Sequence, residues 1–151
     1  MVYDYYGGAA SLPRVSAAMM EAVDPRDSAN FTKDEVLSPE GWVLMNYIMD
    51  SRTGLGRCRE FRVSNYQLMM HLIDYCREHE IEDILKLADV KERIDLYNEH
   101  ESKGKEQIQR CSTVHGNLVV LDLRNEEPIF DVNRFMIYAL YPDCNISIHV
   151  L

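Results

Sequence analysis

The spacing of hydrophobic residues changes near residue 113, and this change restricts the folds open to the chain. Before it, apolar residues recur at helical spacing, as from Leu68 to Cys76, where a methionine-containing stripe indicates core packing. After His115-Gly116, the run 117–123 is rich in β-forming residues and 145–151 alternates as a strand does, with a compact apolar segment between them. We therefore expect an α/β protein whose helix-rich first part is followed by a strand–helix–strand unit.

Local signals predict where several helices begin and end. Thr32–Glu35 and Ser64–Gln67 are capping-box patterns, which favour helix starts. Pro25 is expected to end a helix that runs from Ser16 to Val23, because the residue before a proline disfavours the helical conformation. Further predictions are a helix capped by Ser38 and running to about Asp50, a loop over 51–56, a short helix over 81–87, and a helix capped by Asp89 and ending near Arg110.

The charged helix predicted from about 89 to 110 suggests a division of the chain. Its composition is mostly that of a solvated face, so it either joins two domains or lies on the surface of one. On the first interpretation, 1–88 and 113–151 belong to separate domains and 89–112 connects them. The strand pattern continues to Leu151 with nothing after it to cover the sheet edge, so we expect the sequence to be part of a longer protein.

Charge and composition exclude several classes of function. The net charge is −9, from 16 basic and 25 acidic residues, which disfavours sequence-independent binding to nucleic-acid phosphates. There is no signal peptide and no run of about 20 apolar residues, so we expect a cytoplasmic protein without a membrane partner. The four cysteines lack the close pairs of a zinc site and are expected to be reduced: Cys58, Cys76, Cys111 and Cys144.

Two local features are candidates for chemistry. Asp24 and Asp27 follow a short apolar helix, and carboxylates held in a turn are suitable ligands for Mn²⁺ or Mg²⁺. The alternative is that these residues only cap a turn. The second feature is a glycine-containing loop over 52–62 with four arginines, Arg52, Arg57, Arg59 and Arg62, whose guanidinium groups suit phosphate oxygens. Here the alternative is a solvated loop that pairs with the acidic segment 64–112.

Several segments together resemble a known family. Segments 2–8, 22–28, 41–44 and 52–57 resemble the DHH-family phosphoesterases, and the bacterial exopolyphosphatase-related branch in particular. Segments 117–124 and 133–138 resemble the first half of that branch's DHH-associated domain. The resemblance implies that 1–88 is the C-terminal part of a DHH domain, 89–112 a connector helix, and 113–151 the N-terminal part of a DHH-associated, substrate-binding domain.

The resemblance also implies a function and a set of site residues. It implies hydrolysis of a phosphodiester, short oligonucleotide, nucleotide phosphate or polyphosphate by two Mn²⁺ ions, or Mg²⁺ in their place. Asp27, which precedes Ser28, matches a family metal ligand, and Asp24 is the second choice. The implied substrate-binding residues are Arg52, Arg57, Arg59 and Arg134.

The sequence departs from the family pattern at most of the metal motifs. The early Asp-x-Asp motif, the next Asp, the Asp-His-His triplet and the glycine-rich motif ending in His are absent. We therefore expect the chain to be inactive alone. Its expected partners are the remainder of a parent chain, a phosphate-ester or short-oligonucleotide substrate, and a second copy in a homodimer. The alternative is a non-catalytic interaction protein that uses the acidic helix 89–110.

Overall fold

The computed structural model describes residues 2–28, 30–50, 55 and 60–151, with only the backbone of 24–27. The described elements follow the order expected for a helix-rich first part and a small sheet after it. They are α1 (Val2–Tyr5), α2 (Gly8–Ser11), α3 (Ala17–Ser28), α4 (Lys33–Leu37), α5 (Gly41–Met49), α6 (Asn65–Tyr75), α7 (Ile81–Ile84), α8 (Ala88–Cys111), β1 (Ser112–His115), β2 (Leu118–Asp122), α9 (Met136–Leu140) and β3 (Ile146–Val150).

The sheet has the strand order β1-β2-β3. β1 and β2 form an antiparallel hairpin whose turn contains Gly116 at a φ of 63°, a conformation that favours glycine. β2 and β3 are parallel, with Leu118 opposite Ile146, and α9 lies in the crossover that parallel strands require. The α/β class is thus confirmed, although β1 was not predicted because its four residues directly follow the helix and are mostly exposed.

Two hydrophobic clusters hold the elements together. The first is built from α5, α6, α7 and the start of α8, and its fully buried members include Ile48, Ile84 and Val90. The second lies between the sheet, α9 and the end of α8, where Ile108 packs with Val119. Because α8 contributes side chains to both clusters, it fixes the helical part against the sheet part. In the part of the chain that the structure describes, no helix has the length and apolar character that crossing a bilayer requires.

Both capping boxes form as predicted. The Thr32 hydroxyl accepts a hydrogen bond from the Glu35 amide at 3.2 Å, and the Glu35 carboxylate accepts one from the Thr32 amide at 2.7 Å. Ser64 and Gln67 repeat this exchange at 3.2 and 2.9 Å. The hydrogen bonds that the Thr32 amide and hydroxyl donate to the Glu35 carboxylate lower the pKa of that carboxyl.

Three predicted helix boundaries are wrong. α3 continues through Pro25 to Ser28, although the proline removes one donor from the helix. Packing against α5, including a 3.5 Å hydrogen bond from the Asn46 side chain to the Ala22 carbonyl, offsets that local cost. Ser38 ends α4 instead of starting α5, and Asp89 lies within the first turn of α8 instead of capping it.

Candidate substrate-binding site

The predicted metal ligands lie on a helix, not in the turn that we expected. The backbones of Asp24 and Asp27 belong to the end of α3, and their side chains are outside the described residues. Among the residues whose side chains are described, no three His, Cys, Asp or Glu side chains come together as an ion would require. The described side chains alone therefore do not fit a two-ion centre.

Arg52, Arg57 and Arg59 lie outside the described residues, but the structure shows what flanks their segment. We call residues 51–59 the arginine segment. Within it, Leu55 is described, is 1% exposed, and belongs to the first hydrophobic cluster. The segment is thus attached to the core near its centre.

The C-terminal flank of the arginine segment, residues 61–65, is held by a buried arginine. Arg93 of α8 is fully buried and donates to the Asn65 side chain at 2.9 Å, to the Val63 carbonyl at 2.7 Å and to the Asp89 carbonyl at 2.8 Å. Its guanidinium carbon also lies 4.1 Å from the centroid of the Phe61 ring. Burial lowers the pKa of the Arg93 guanidinium, whereas the charges of Glu92 and Asp89 raise it.

Sequence reasoning missed Arg93 because the run Lys91-Glu92-Arg93 has the composition of a solvated face. The signal that identifies it is spacing, since Arg93 lies three residues after Val90 and four before Tyr97, both of which are buried.

Arg62 pairs with the acidic segment 64–112, as the solvated-loop alternative predicts. It is exposed and forms a two-pronged pair with Asp89, at 2.8 Å for each hydrogen bond.

The N-terminal flank of the arginine segment, Asp50, lies beside Arg134. The Arg134 Nε atom is 4.0 Å from the nearer Asp50 carboxylate oxygen, and its guanidinium carbon is 4.4 Å from the Phe135 ring centroid. About a third of the Arg134 side chain is exposed. The structure therefore brings Arg134 close to a residue only two positions before Arg52 in the sequence.

Polar atoms at this flank lack hydrogen bonds. Within the described part of the chain, Arg134 Nε, Asn133 Nδ2 and the Tyr47 hydroxyl are buried and have no hydrogen-bond partner. Burial raises the pKa of Tyr47 to about 12, and the nearby Asn133 side chain opposes this rise without reaching hydrogen-bond geometry. Buried polar groups without partners are rare in proteins, and three of them close together are consistent with a binding site whose ligand supplies the missing partners. Sequence reasoning missed Tyr47 and Asn133, because their proximity arises only from tertiary packing.

The chain segment that carries Arg134 is fixed to α8. The Gln107 side chain donates to Glu126 at 2.8 Å and to the Pro128 carbonyl at 2.9 Å, and accepts from the Phe130 amide at 3.0 Å. Gly104 lies so close to this segment that a Cβ atom added there would be 2.1 Å from a Val132 methyl carbon. Arg134 is therefore presented by a well-anchored loop.

Comparison with solved structures gives an informative match. No family model matches the chain, and no curated protein matches it. A solved structure of a phosphodiesterase does, with a TM-score of 0.90 and 59% sequence identity over 98% of this chain. That relative is the pGpG-specific phosphodiesterase PggH from Vibrio cholerae, and the chain spans 49% of its length.

This match bears on the family resemblance that the sequence showed. The relative is a DHH-family enzyme, in agreement with the resemblance of this sequence to the DHH-family phosphoesterases. The more specific resemblance to the exopolyphosphatase-related branch is not confirmed and stays a prediction.

Proposed function

We propose that the chain forms part of a metal-dependent phosphoesterase that hydrolyses the phosphodiester bond of a short oligonucleotide. The observation that carries this proposal is the 59% identity to a pGpG-specific phosphodiesterase over nearly the whole chain. Among the substrate classes that the sequence implied, this relative favours a guanine dinucleotide such as pGpG over a nucleotide phosphate or polyphosphate. We also propose that the chain belongs to the exopolyphosphatase-related branch. This proposal concerns its ancestry and does not imply that polyphosphate is its substrate.

The two hydrophobic clusters support the proposed division of the chain. On this proposal, 1–88 is the C-terminal part of the DHH domain, 89–112 the connector, and 113–151 the N-terminal part of the DHH-associated domain. The first cluster draws on α5 to α8 and the second on α8, the sheet and α9, so α8 has the contacts expected of a connector. The proposed site lies where these two parts meet, beside Asp50 and Arg134.

Arg134 is the described residue best suited to bind a substrate phosphate. Its Nε is a donor without a hydrogen bond among the described residues, its side chain is partly exposed, and the nearest Asp50 oxygen is 4.0 Å away. The forked donors of a guanidinium suit phosphate oxygens, with which they form charge-assisted hydrogen bonds. Arg52, Arg57 and Arg59 are proposed as further phosphate contacts because their segment starts directly after Asp50 in the sequence.

Asp27, with Asp24 as the second choice, is proposed as a ligand of Mn²⁺, or of Mg²⁺. Bound ions of this kind lower the pKa of a water molecule and stabilise the oxygens of a displacement. The remaining ligands would come from the rest of a parent chain. We further propose a cytoplasmic location and a homodimer.

The charged face of α8 gives the non-catalytic alternative no particular support. Lys91 pairs with Asp95 at 2.9 Å and Lys103 pairs with Glu99 at 3.1 Å, both within the helix. Such pairs one helical turn apart are expected of a solvated surface. The enzyme and the interaction protein differ in one simple respect, since only the enzyme requires Mn²⁺ binding by the full-length protein.

The proposed function is tested by assaying pGpG hydrolysis with Mn²⁺ in the full-length protein. Asp27→Asn keeps the shape of the side chain but removes a ligand charge, so turnover should fall by orders of magnitude while the circular dichroism spectrum is unchanged. Asp24→Asn should have a milder effect. Asp95→Asn, on the exposed face of α8, is the matched control and should leave turnover unchanged.

The 151-residue chain alone should bind Mn²⁺ weakly and hydrolyse no phosphoester, because most of the metal motifs are missing from it. Hydrolysis by this chain that survives Asp27→Asn would place the active site elsewhere and contradict the proposed role of that residue.

A further inference from the structure

A cleft between α4 and α9 lies next to the proposed phosphate contact. Its volume is about 330 Å³, at the lower end of the roughly 300–1,000 Å³ range of ligand pockets. It is open to solvent, and it lies between α4 of the helical part and α9 of the sheet part. The residues that line it are Phe31, Lys33, Val36, Phe135, Tyr138, Ala139 and Pro142.

Aromatic rings dominate the walls of this cleft. Phe31 and Phe135 face each other across the junction, with ring centroids 5.5 Å apart and planes inclined by 52°. The Tyr138 ring is held by a 2.9 Å hydrogen bond between its hydroxyl and that of Ser147. All three side chains are only partly buried. Half-buried aromatic surfaces of this kind suit the flat face of a nucleobase.

The cleft also has a polar edge. Its described lining includes one charged side chain, Lys33, which lies in the first turn of α4. The capping box between Thr32 and Glu35 fixes this turn, so the backbone that carries Lys33 is well defined. A lysine ammonium donates hydrogen bonds and cannot accept them. It therefore complements the O6 and N7 acceptors of guanine better than the N6 amino group of adenine.

The cleft and Arg134 are directly connected. Phe135 lines the cleft and follows Arg134 in the chain, and the Arg134 guanidinium carbon lies 4.4 Å from the Phe135 ring centroid. A nucleotide carries its phosphate one sugar away from its base, so a phosphate at Arg134 would leave the attached base close to Phe135. The chain as a whole is acidic, with a net charge of −9. A site that combines two cations, Lys33 and Arg134, with three aromatic rings is therefore unusual in it.

We propose that the α4–α9 cleft binds a guanine base of the substrate, with the attached phosphate at Arg134. Phe31, Phe135 and Tyr138 would supply apolar contact to the base, and Lys33 would supply preference for guanine. This inference rests on the proposed phosphate contact of Arg134 and adds a base subsite that determines specificity. It requires no cleavage by this chain, so binding alone can test it.

The experiment is a nucleotide titration of the 151-residue chain followed by the aromatic NMR signals of Phe31, Phe135 and Tyr138. GMP and AMP should both shift these signals, and GMP should bind about tenfold more tightly. Ribose 5-phosphate, which lacks a base, should leave the Phe31 signals unshifted. The inference is overturned if neither nucleotide shifts the three rings, or if ribose 5-phosphate shifts them equally.

Two variants separate the contributions of the cleft. Lys33→Met keeps an unbranched side chain without its donors, so it should bring GMP affinity down to that of AMP. Phe31→Leu should weaken both nucleotides about tenfold by removing aromatic contact. Lys91→Met, whose lysine pairs with Asp95 on α8, is the matched control and should change neither affinity. Persistence of the GMP preference in Lys33→Met would overturn the assignment of Lys33.

The same titration distinguishes this inference from the proposed function. If GMP occupies the cleft but the full-length protein does not hydrolyse pGpG, the base subsite stands and the phosphoesterase proposal fails. If the full-length protein hydrolyses pGpG while the cleft signals never respond to nucleotides, the enzyme stands and the base subsite is rejected.

Discussion

Each flank of the arginine segment lies against a buried or partly buried arginine from elsewhere in the chain, and these two arginines differ in their hydrogen bonding. On the C-terminal flank, Arg93 is fully buried, and each of its three nitrogens donates a hydrogen bond of 2.7–2.9 Å. On the N-terminal flank, Arg134 is about a third exposed, and its Nε makes no hydrogen bond within the described residues. The first arginine stabilises the fold, whereas the second has donor capacity left for a ligand.

This difference shows how a buried arginine can be assigned either a structural role or a binding role. A buried cation whose three nitrogens all donate hydrogen bonds within its own chain is assigned to a structural role. A donor that is left unpaired costs free energy in the absence of a ligand, and such a cost is tolerated mainly at functional sites. The comparison predicts that replacing Arg93 changes stability and that replacing Arg134 changes substrate binding.

The largest stability effect is expected from Arg93→Met. The substitution keeps most of the aliphatic stem but leaves the Val63 and Asp89 carbonyls and the Asn65 amide oxygen without their donor, which should cost about 3 kcal/mol or more in free energy of unfolding. Urea denaturation measures this cost. Arg62→Met is the control, because Arg62 is exposed and its loss should have little effect. Equal destabilisation by the two variants would break the contrast between the flanks.

Arg134→Gln should instead act on binding. If Arg134 forms a charge-assisted hydrogen bond to phosphate, its loss should weaken substrate binding by about 1–3 kcal/mol, or roughly 5- to 150-fold in KM. The turnover number and the urea midpoint should change little. Arg124→Gln removes an exposed arginine that pairs with Asp122 and serves as the control. A large loss of stability with unchanged KM would make Arg134 a structural residue like Arg93.

Gly104→Ala tests whether the loop that presents Arg134 depends on its packing against α8. The added methyl group would overlap Val132, which should cost about 1–3 kcal/mol, less about 1 kcal/mol gained from the helix preference of alanine. Because the displaced loop includes Arg134, KM for pGpG in the full-length protein should rise along with the loss of stability. Ser102→Ala, at an exposed position of the same helix, should change neither quantity. Normal KM in a destabilised Gly104→Ala protein would show that the loop positions Arg134 independently of this contact.

Local sequence patterns predicted the fold better than the site. The capping boxes at Thr32 and Ser64 were predicted because their hydrogen bonds join residues only three positions apart. The strands β2 and β3 were predicted from residue type and alternation, and the α/β class followed from them. Pro25 misled the prediction because packing of α3 against α5 outweighed a local preference.

The site depends on contacts between residues that are distant in sequence. Arg134 and Asp50 lie 84 positions apart, and no local pattern predicts that they meet. The resemblance to a family identified Arg134, but no sequence signal singled out Tyr47 or Asn133 as a site residue. Arg93 was concealed by its charged neighbours, although its spacing on the buried face of α8 carried the information.

The smallest effect concerns Tyr47, which joins the two parts of the chain at the N-terminal flank. Because its hydroxyl has no hydrogen bond among the described residues, Tyr47→Phe should change the free energy of unfolding at neutral pH by less than about 1 kcal/mol.

Burial raises the pKa of Tyr47 to about 12, above the ordinary value near 10, so the folded state retains this proton to a higher pH than the unfolded state does. The contribution of Tyr47 to stability is therefore complete below about pH 10 and is lost as the pH rises toward 12. Tyr47→Phe should flatten the fall in stability over that interval, as measured by urea denaturation at several alkaline pH values. Tyr66→Phe, at a residue that is 67% exposed, should not. A neutral-pH cost well above 1 kcal/mol for Tyr47→Phe would mean that its hydroxyl is satisfied inside the protein, and the N-terminal flank would then resemble the C-terminal one.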